Sequence, residues 1–127
     1  MIKEIDFDLE FVHMFFPDAS NDNNPYEKNY GYFLDDKLVG FLSVSVIYDR
    51  AEINYIAVLE EYRKHGIAQE LFDFFLSHST VNSVSLEVRS DNKMAINFYL
   101  KNGFKKVSIR KNYYKDVDGI LMVLEVI

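Results

Sequence analysis

Residues 51–72 read AEINYIAVLEEYRKHGIAQELF, and the change of period inside this run decides the fold. Residues 51–58, AEINYIAV, carry the Ile, Tyr and Val of a strand. From Gly66 the apolar residues Ile67, Leu71 and Phe75, with Ala68, Phe72 and Leu76, recur at i, i+4 and i+8, which predicts a helix to about Ser79. SVSLEV, residues 83–88, follows as a short strand. Residues 51–88 therefore have the length of a strand–helix–strand crossover, whose two strands are parallel and adjacent.

Working outward, residues 30–35 and 38–47 are β-rich runs separated by Asp36 and Lys37, and Leu42, Val44 and Val46 alternate with Ser43 and Ser45. That is a hairpin, and Tyr48-Asp49-Arg50 turns it into residues 51–58 as a meander. Ahead of it, residues 8–15 look helical, and FPDASNDNNPYEKN, residues 16–29, has the composition of a loop. Downstream, Ser90-Asp91 are read as caps for a helix from about Asn92 to Lys101, which Asn102-Gly103 ends. Phe104–Tyr114 and Gly119–Val126, joined by KDVDG with its glycine turn signal, close the chain. The expected fold class is α/β (α+β): a central mixed, mostly antiparallel twisted sheet of about six to seven strands with helices on both faces, in one domain over residues 1–127. Its ligand cleft belongs beyond the strand ends, where residues 51–58 deliver the chain into a helix N-terminus.

Composition bounds the chemistry. Of the 127 residues 49% are hydrophobic and 27% charged, enough for a proper core and typical of a folded domain. Cysteine is absent, which excludes disulfides, thiolate catalysis and Cys-ligated metal. His13, His65 and His78 show no metal-ligand spacing. The first residues, MIKEIDFDLEF, are charged throughout, and no apolar run approaches the roughly 18 residues of a membrane span; a cytoplasmic location and no membrane partner are expected. A formal net charge of −6 argues against nucleic acid as a partner, which demands a basic face, and suits a cationic one such as an amine. Lys101 to Lys115 nonetheless hold six Lys or Arg residues, as a solvated strand face does.

The segment YRKHGIA, residues 62–68, is where chemistry enters. A helix N-terminus offers unpaired N–H groups and partial positive charge, and small residues such as Gly66 and Ala68 let an anion approach the backbone. The sequence holds neither GxxxxGK[ST] nor GxGxxG, so neither a Walker A loop nor a dinucleotide fingerprint is present. From these residues alone, a plain helix entrance and an anion site both stay open.

RKHGIA, residues 63–68, resembles the [QR]-x-x-G-x-[GA] signature of the GNAT superfamily of acyl-CoA-dependent N-acetyltransferases. The family's preceding strand matches INYIAV at residues 53–58, and its later pattern matches LEVRSDNKMAINFYLKNGF at residues 86–104. RKNYYKDVDGILMVLEV, residues 110–126, resembles the RimI-like branch, whose type member acetylates the N-terminal alanine of a small-subunit ribosomal protein. The likeness runs in order over residues 38–126. It departs at the N-terminus, where RimI-like proteins carry two helices before the hairpin and this chain shows one helical stretch; that region shapes the acceptor pocket.

The resemblance implies the acyl-CoA N-acyltransferase (GNAT) fold, acetyl-CoA as cosubstrate, no metal, and direct transfer to a primary amine in a ternary complex. It places the CoA pyrophosphate on Arg63, Lys64, His65, Gly66, Ile67, Ala68 and Gln69, the pantetheine arm along Ile56, Ala57 and Val58, and a cofactor contact on Asn92. Transfer needs a neutral amine, a polarised thioester carbonyl and a proton for the departing thiolate. Glu87 alternates with Val84, Leu86 and Val88, so it faces the opposite side of its strand; it matches the family's base, beside the rival reading of a solvated glutamate. Tyr99 matches the family's acid, and a phenol of pKa about 10 can protonate a thiolate; its rival is a core aromatic. Asn92 has a plain helix-start residue as its rival. Tyr113 and Tyr114 match acceptor-lining tyrosines, although strand aromatics are often simply packed. The acceptor is left as a protein N-terminus such as a ribosomal protein, a lysine or a small amine. A CoA-binding sensor or assembly module that no longer catalyses is the alternative, and the final hairpin offers an edge for a homodimer.

Overall fold

The computed structural model describes residues 1–19 and 24–126. In chain order its elements are β1 (Ile2–Ile5), α1 (Leu9–His13), β2 (Glu27–Leu34), β3 (Lys37–Ile47), β4 (Arg50–Val58), a 3-10 turn at Glu60–Tyr62, α2 (Ile67–Ser77), β5 (Ser83–Arg89), α3 (Lys93–Lys101), β6 (Lys105–Tyr114) and β7 (Val117–Glu125). The seven strands form one mixed sheet in the order β1-β2-β3-β4-β5-β7-β6, as the fold class above requires. β4 and β5 are parallel, in register from Arg50↔Ser83 to Glu52↔Ser85, so residues 51–88 are the expected crossover. By compactness the chain divides into two units, residues 1–47 with 53–80 and residues 48–52 with 81–127.

In the first unit β1, β2 and β3 are successive antiparallel strands. The β2–β3 turn is Asp35-Asp36, both at positive φ (49° and 65°), the backbone of a two-residue hairpin. It lies one residue before the Asp36-Lys37 read from sequence, because acidic residues tolerate the left-handed region and Lys37 is already paired with Leu34. β3 carries a helix on each face. A Cβ on Gly40 would stand 2.8 Å from Ile67 and 3.2 Å from Leu71 of α2, while the neighbouring Phe41 packs with Phe11 and Val12 of α1. Phe41, Phe72 and Phe75 are at most 1% exposed, each contributing about 1.5–3 kcal/mol by burial. The polar tract expected to be loop over residues 16–29 ends earlier, since Glu27 starts β2; its residues 20–23 lie outside the described residues. β1, a stretch to which sequence patterning assigned no element, pairs Ile2↔Tyr32 through Ile5↔Asn29.

In the second unit β7 lies between β5 and β6, antiparallel to both. The turn is Lys115-Asp116, with Lys115 at φ 62°. Gly119 is not a turn residue: it sits inside β7, opposite both Arg89 and Arg110. Asn92, not Ser90 or Asp91, caps α3, its side chain accepting from the Ala95 N–H at 3.2 Å. Asp91 is instead held by Arg89 through two bonds of 3.1 and 3.0 Å. Gly103 ends α3 at φ 94°, as its sequence position predicts.

Candidate active site

In the first unit, β4 ends at Val58, which is buried, and the chain bends through the 3-10 turn into α2. Lys64 and Gly66 both have left-handed backbone, φ 66° and 79°, and Gly66 is the α2 N-cap with no side-chain hydrogen bond to the helix. The first intrahelical bond runs from Glu70 N–H to Gly66 carbonyl at 2.9 Å, so the amides of Ile67 and Ala68 have no carbonyl four residues back inside the helix. This end is open to an anion in charge and in space: a Cβ on Gly66 would meet nothing within 4 Å. Gly66 is thus demanded by its backbone angle, and the room around it is available to a ligand. Arg63 is placed differently from a free phosphate cation. Its Nε donates to the Val58 carbonyl at 3.0 Å, and its guanidinium lies 6.0 Å from the Phe15 ring. It pins the loop to the end of β4. Lys64 and His65 are exposed, and Gln69 donates to Asp73 at 2.9 Å. Ala57 faces the α1 cluster, with Tyr55 and Leu59.

In the second unit, Glu87 stands on the face of β5 opposite the buried Val84, Leu86 and Val88. Both its carboxylate oxygens are shielded from solvent and lack a hydrogen bond. Arg110 Nε is 3.0 Å from Oε1, an ion pair whose distance is short but whose angle does not complete a hydrogen bond. Gly119 makes room for this group, since a Cβ there would lie 3.1 Å from Glu87 Oε2 and 3.0 Å from Tyr113 Cδ2. Tyr113 and Tyr114 meet edge to face at 5.0 Å. Arg110 lies 5.2 Å from the Tyr113 ring and Arg89 5.5 Å from the Tyr114 ring. Burial foremost, then the negative charge of Glu87, raises the Tyr114 phenol above its ordinary value. The structure therefore brings Glu87, Tyr113 and Tyr114 into one cluster, and adds Arg110, Arg89 and Gly119. Those three have no sequence signature; only the β5–β7–β6 register places them.

Tyr99 is 5% exposed on the inner face of α3, its ring against Phe98 at 5.5 Å and Phe104 at 5.4 Å. Burial drives its phenol well above the ordinary tyrosine range. Asn92 spends its Oδ1 on the α3 cap and keeps its Nδ2 as a donor. Among the described residues no cluster of His, Cys, Asp and Glu could hold a metal ion, and no helix is long and apolar enough to cross a membrane.

Comparison with known proteins shows the family and the fold. The acetyltransferase (GNAT) family matches residues 3–104. The ribosomal protein bS18-alanine N-acetyltransferase of Escherichia coli (strain K12) is 32% identical over 115 residues, covering 85% of this chain and 77% of that protein. The crystal structure of the Escherichia coli ribosomal-protein-alanine N-acetyltransferase superposes with a TM-score of 0.80 at 24% identity, over 99% of this chain and 94% of that one. A GNAT family acetyltransferase from Elizabethkingia anophelis, solved with acetyl-CoA bound, gives 0.81 at 19% identity over 98% of each chain. With the ordered motifs, the seven-stranded mixed sheet and a family match over four-fifths of its length, the chain belongs to the acetyltransferase (GNAT) family and is an acyltransferase of the N-acetyltransferase type that uses acetyl-CoA.

Proposed function

We propose that residues 1–127 act as one acetyltransferase domain that acetylates the α-amine of a protein N-terminus, with Glu87 as base and Tyr99 as acid. The observation that carries this reading is the Glu87 cluster: a carboxylate whose oxygens are withdrawn from solvent beside a tyrosine pair on the terminal hairpin, Tyr113 half-exposed and Tyr114 partly buried. An α-amine has a pKa of about 8, so taking its proton near neutrality is a modest task for a carboxylate. The amine nitrogen attacks the thioester carbonyl carbon, the C–S bond breaks, the amine proton passes to Glu87, and the Tyr99 phenol protonates the thiolate. The open α2 N-terminus with Gly66 suits the CoA pyrophosphate, the β4 backbone at residues 56–58 suits the pantetheine arm and an N–H for the carbonyl oxygen, and the Asn92 amide suits a cofactor contact. Tyr113 and Tyr114 line the acceptor side. The curated relative named for acetylating a ribosomal protein's alanine supports a protein N-terminus over a lysine or a free small amine, and a cytoplasmic place of action.

The test incubates the full chain with acetyl-CoA and a panel of N-terminal peptides, including one beginning Ala-Arg-Tyr, with lysine peptides and small amines alongside, while free thiol is followed. Thiol release dependent on an α-amine is expected. Acetyl-CoA binding with no acceptor-dependent release from any amine would sink the enzymatic reading in favour of a binding module. Release with small amines alone would redirect the acceptor.

A further inference from the structure

We propose that Arg110 is a positioning residue that holds the Glu87 carboxylate oriented, in a slot that Gly119 keeps open; this rests on the reading of Glu87 as the base. Two oxygens shut away from water without a hydrogen bond have lost hydration to offset. The offset is Arg110, 3.0 Å from Oε1.

The sheet register makes this contact. Arg110 pairs with Gly119 on β7, and Glu87 pairs with Leu121, two residues further along the same strand. Residues two apart share a face, so Arg110 and Glu87 reach toward each other across the position of residue 119. Any side chain there would intrude, as the 3.1 Å approach of a Cβ to Glu87 Oε2 shows. The Tyr113 ring, 5.2 Å from the guanidinium, closes the other side and fixes the angle at which Arg110 meets the carboxylate.

The two carboxylate oxygens then have different tasks. Oε1 belongs to Arg110, and Oε2 is left to accept the proton: as the neutral amine's lone pair forms the N–C bond, the N–H bond of the now cationic nitrogen breaks and an O–H bond forms at Oε2. Arg110 stays paired with Oε1 throughout. Its side chain is 55% exposed, and an exposed ion pair adds little to folding stability, so removing it should disturb catalysis without unfolding the chain.

The experiment compares the full-length wild type with Arg110→Ala, Arg110→Lys and Glu87→Gln, measuring kcat, KM for acetyl-CoA and melting temperature. Arg110→Ala should lower kcat by about tenfold or more, leave the acetyl-CoA KM and the melting temperature near wild type, and regain turnover with millimolar guanidinium salt. Arg110→Lys should recover much of the loss. In the double variant with Glu87→Gln, Arg110→Ala should cost nothing further, as coupled residues behave. Wild-type kcat in Arg110→Ala beside an inactive Glu87→Gln overturns the role of Arg110 and leaves the base in place. A loss that neither lysine nor guanidinium relieves overturns it too. An active Glu87→Gln overturns the base itself.

Discussion

Replacing Gly66 by alanine separates two reasons for a glycine at a helix entrance. The residue has φ 79°, and a Cβ would meet no atom within 4 Å, so the protein itself charges nothing for volume. What remains is the left-handed backbone, which costs an L-residue about 1–2 kcal/mol, partly offset by about 0.4–1 kcal/mol because alanine loses less freedom than glycine on folding. The net is a loss of about 1 kcal/mol. With a urea m-value of roughly 1–3 kcal/mol/M, the unfolding midpoint should fall by roughly 0.3–1 M. Gly66→Asn should lose less, since asparagine tolerates that region, and Gly66→Val more. A midpoint for Gly66→Ala equal to wild type would refute the conformational reasoning. The same variants probe the ligand, because a ligand that binds only the folded state stabilises it by an amount that grows with the ratio of its concentration to its Kd. If the pyrophosphate lies against this backbone, alanine and asparagine should both shrink the acetyl-CoA-induced rise in melting temperature, whatever their own stability. A full rise in Gly66→Asn would remove the close approach.

Tyr99→Phe should slow turnover far more than it weakens acetyl-CoA binding; equal turnover removes the acid role. The same variant has a pH signature: burial raises the folded Tyr99 pKa above its unfolded value of about 10, so the unfolded chain sheds that proton first and stability declines above about pH 10. Tyr99→Phe should show a shallower alkaline decline, measured by urea melts. Asn92→Ala should cost about 0.5–2 kcal/mol by removing the bond to Ala95, whereas Asn92→Asp should keep the cap; retained acetyl-CoA affinity in Asn92→Asp would leave Asn92 a cap alone. Gly119→Ala, whose Cβ meets Tyr113 and Glu87 at 3.0 and 3.1 Å, should shift stability by about 1–3 kcal/mol at most while depressing kcat. Unchanged kcat would show the Glu87 slot to be tolerant.

Sequence patterning located the long elements because their periods are strong. Ile67, Leu71 and Phe75 repeat as a helix face and are buried as one, apart from the helix ends. β1 escaped notice because its four residues, with inner and outer positions mixed, are too few to show a period and gain their strand identity only by pairing with β2. Turn positions slipped for a related reason. Asp35, Asp36 and Lys115 adopt left-handed backbone that composition does not single out, and Gly119 carried a turn signal while serving as a strand position without a side chain. Arg63 looked like a phosphate cation from its neighbours, yet the bend of the chain returns it to the Val58 carbonyl.

By itself the order of residues determined the crossover, the glycine at the helix entrance and the family, and it singled out Glu87, Tyr99 and the tyrosine pair as candidates, since these rest on period, spacing and motif. Tertiary structure alone decided the environment of each group. Whether Tyr99 is buried, which cation meets Glu87, and how tightly a side chain at residue 119 would be met all depend on residues that are distant in sequence and adjacent in the fold. A carboxylate's charge and reach are set by what surrounds it in space, and the chain's linear order carries no record of β7 lying between β5 and β6.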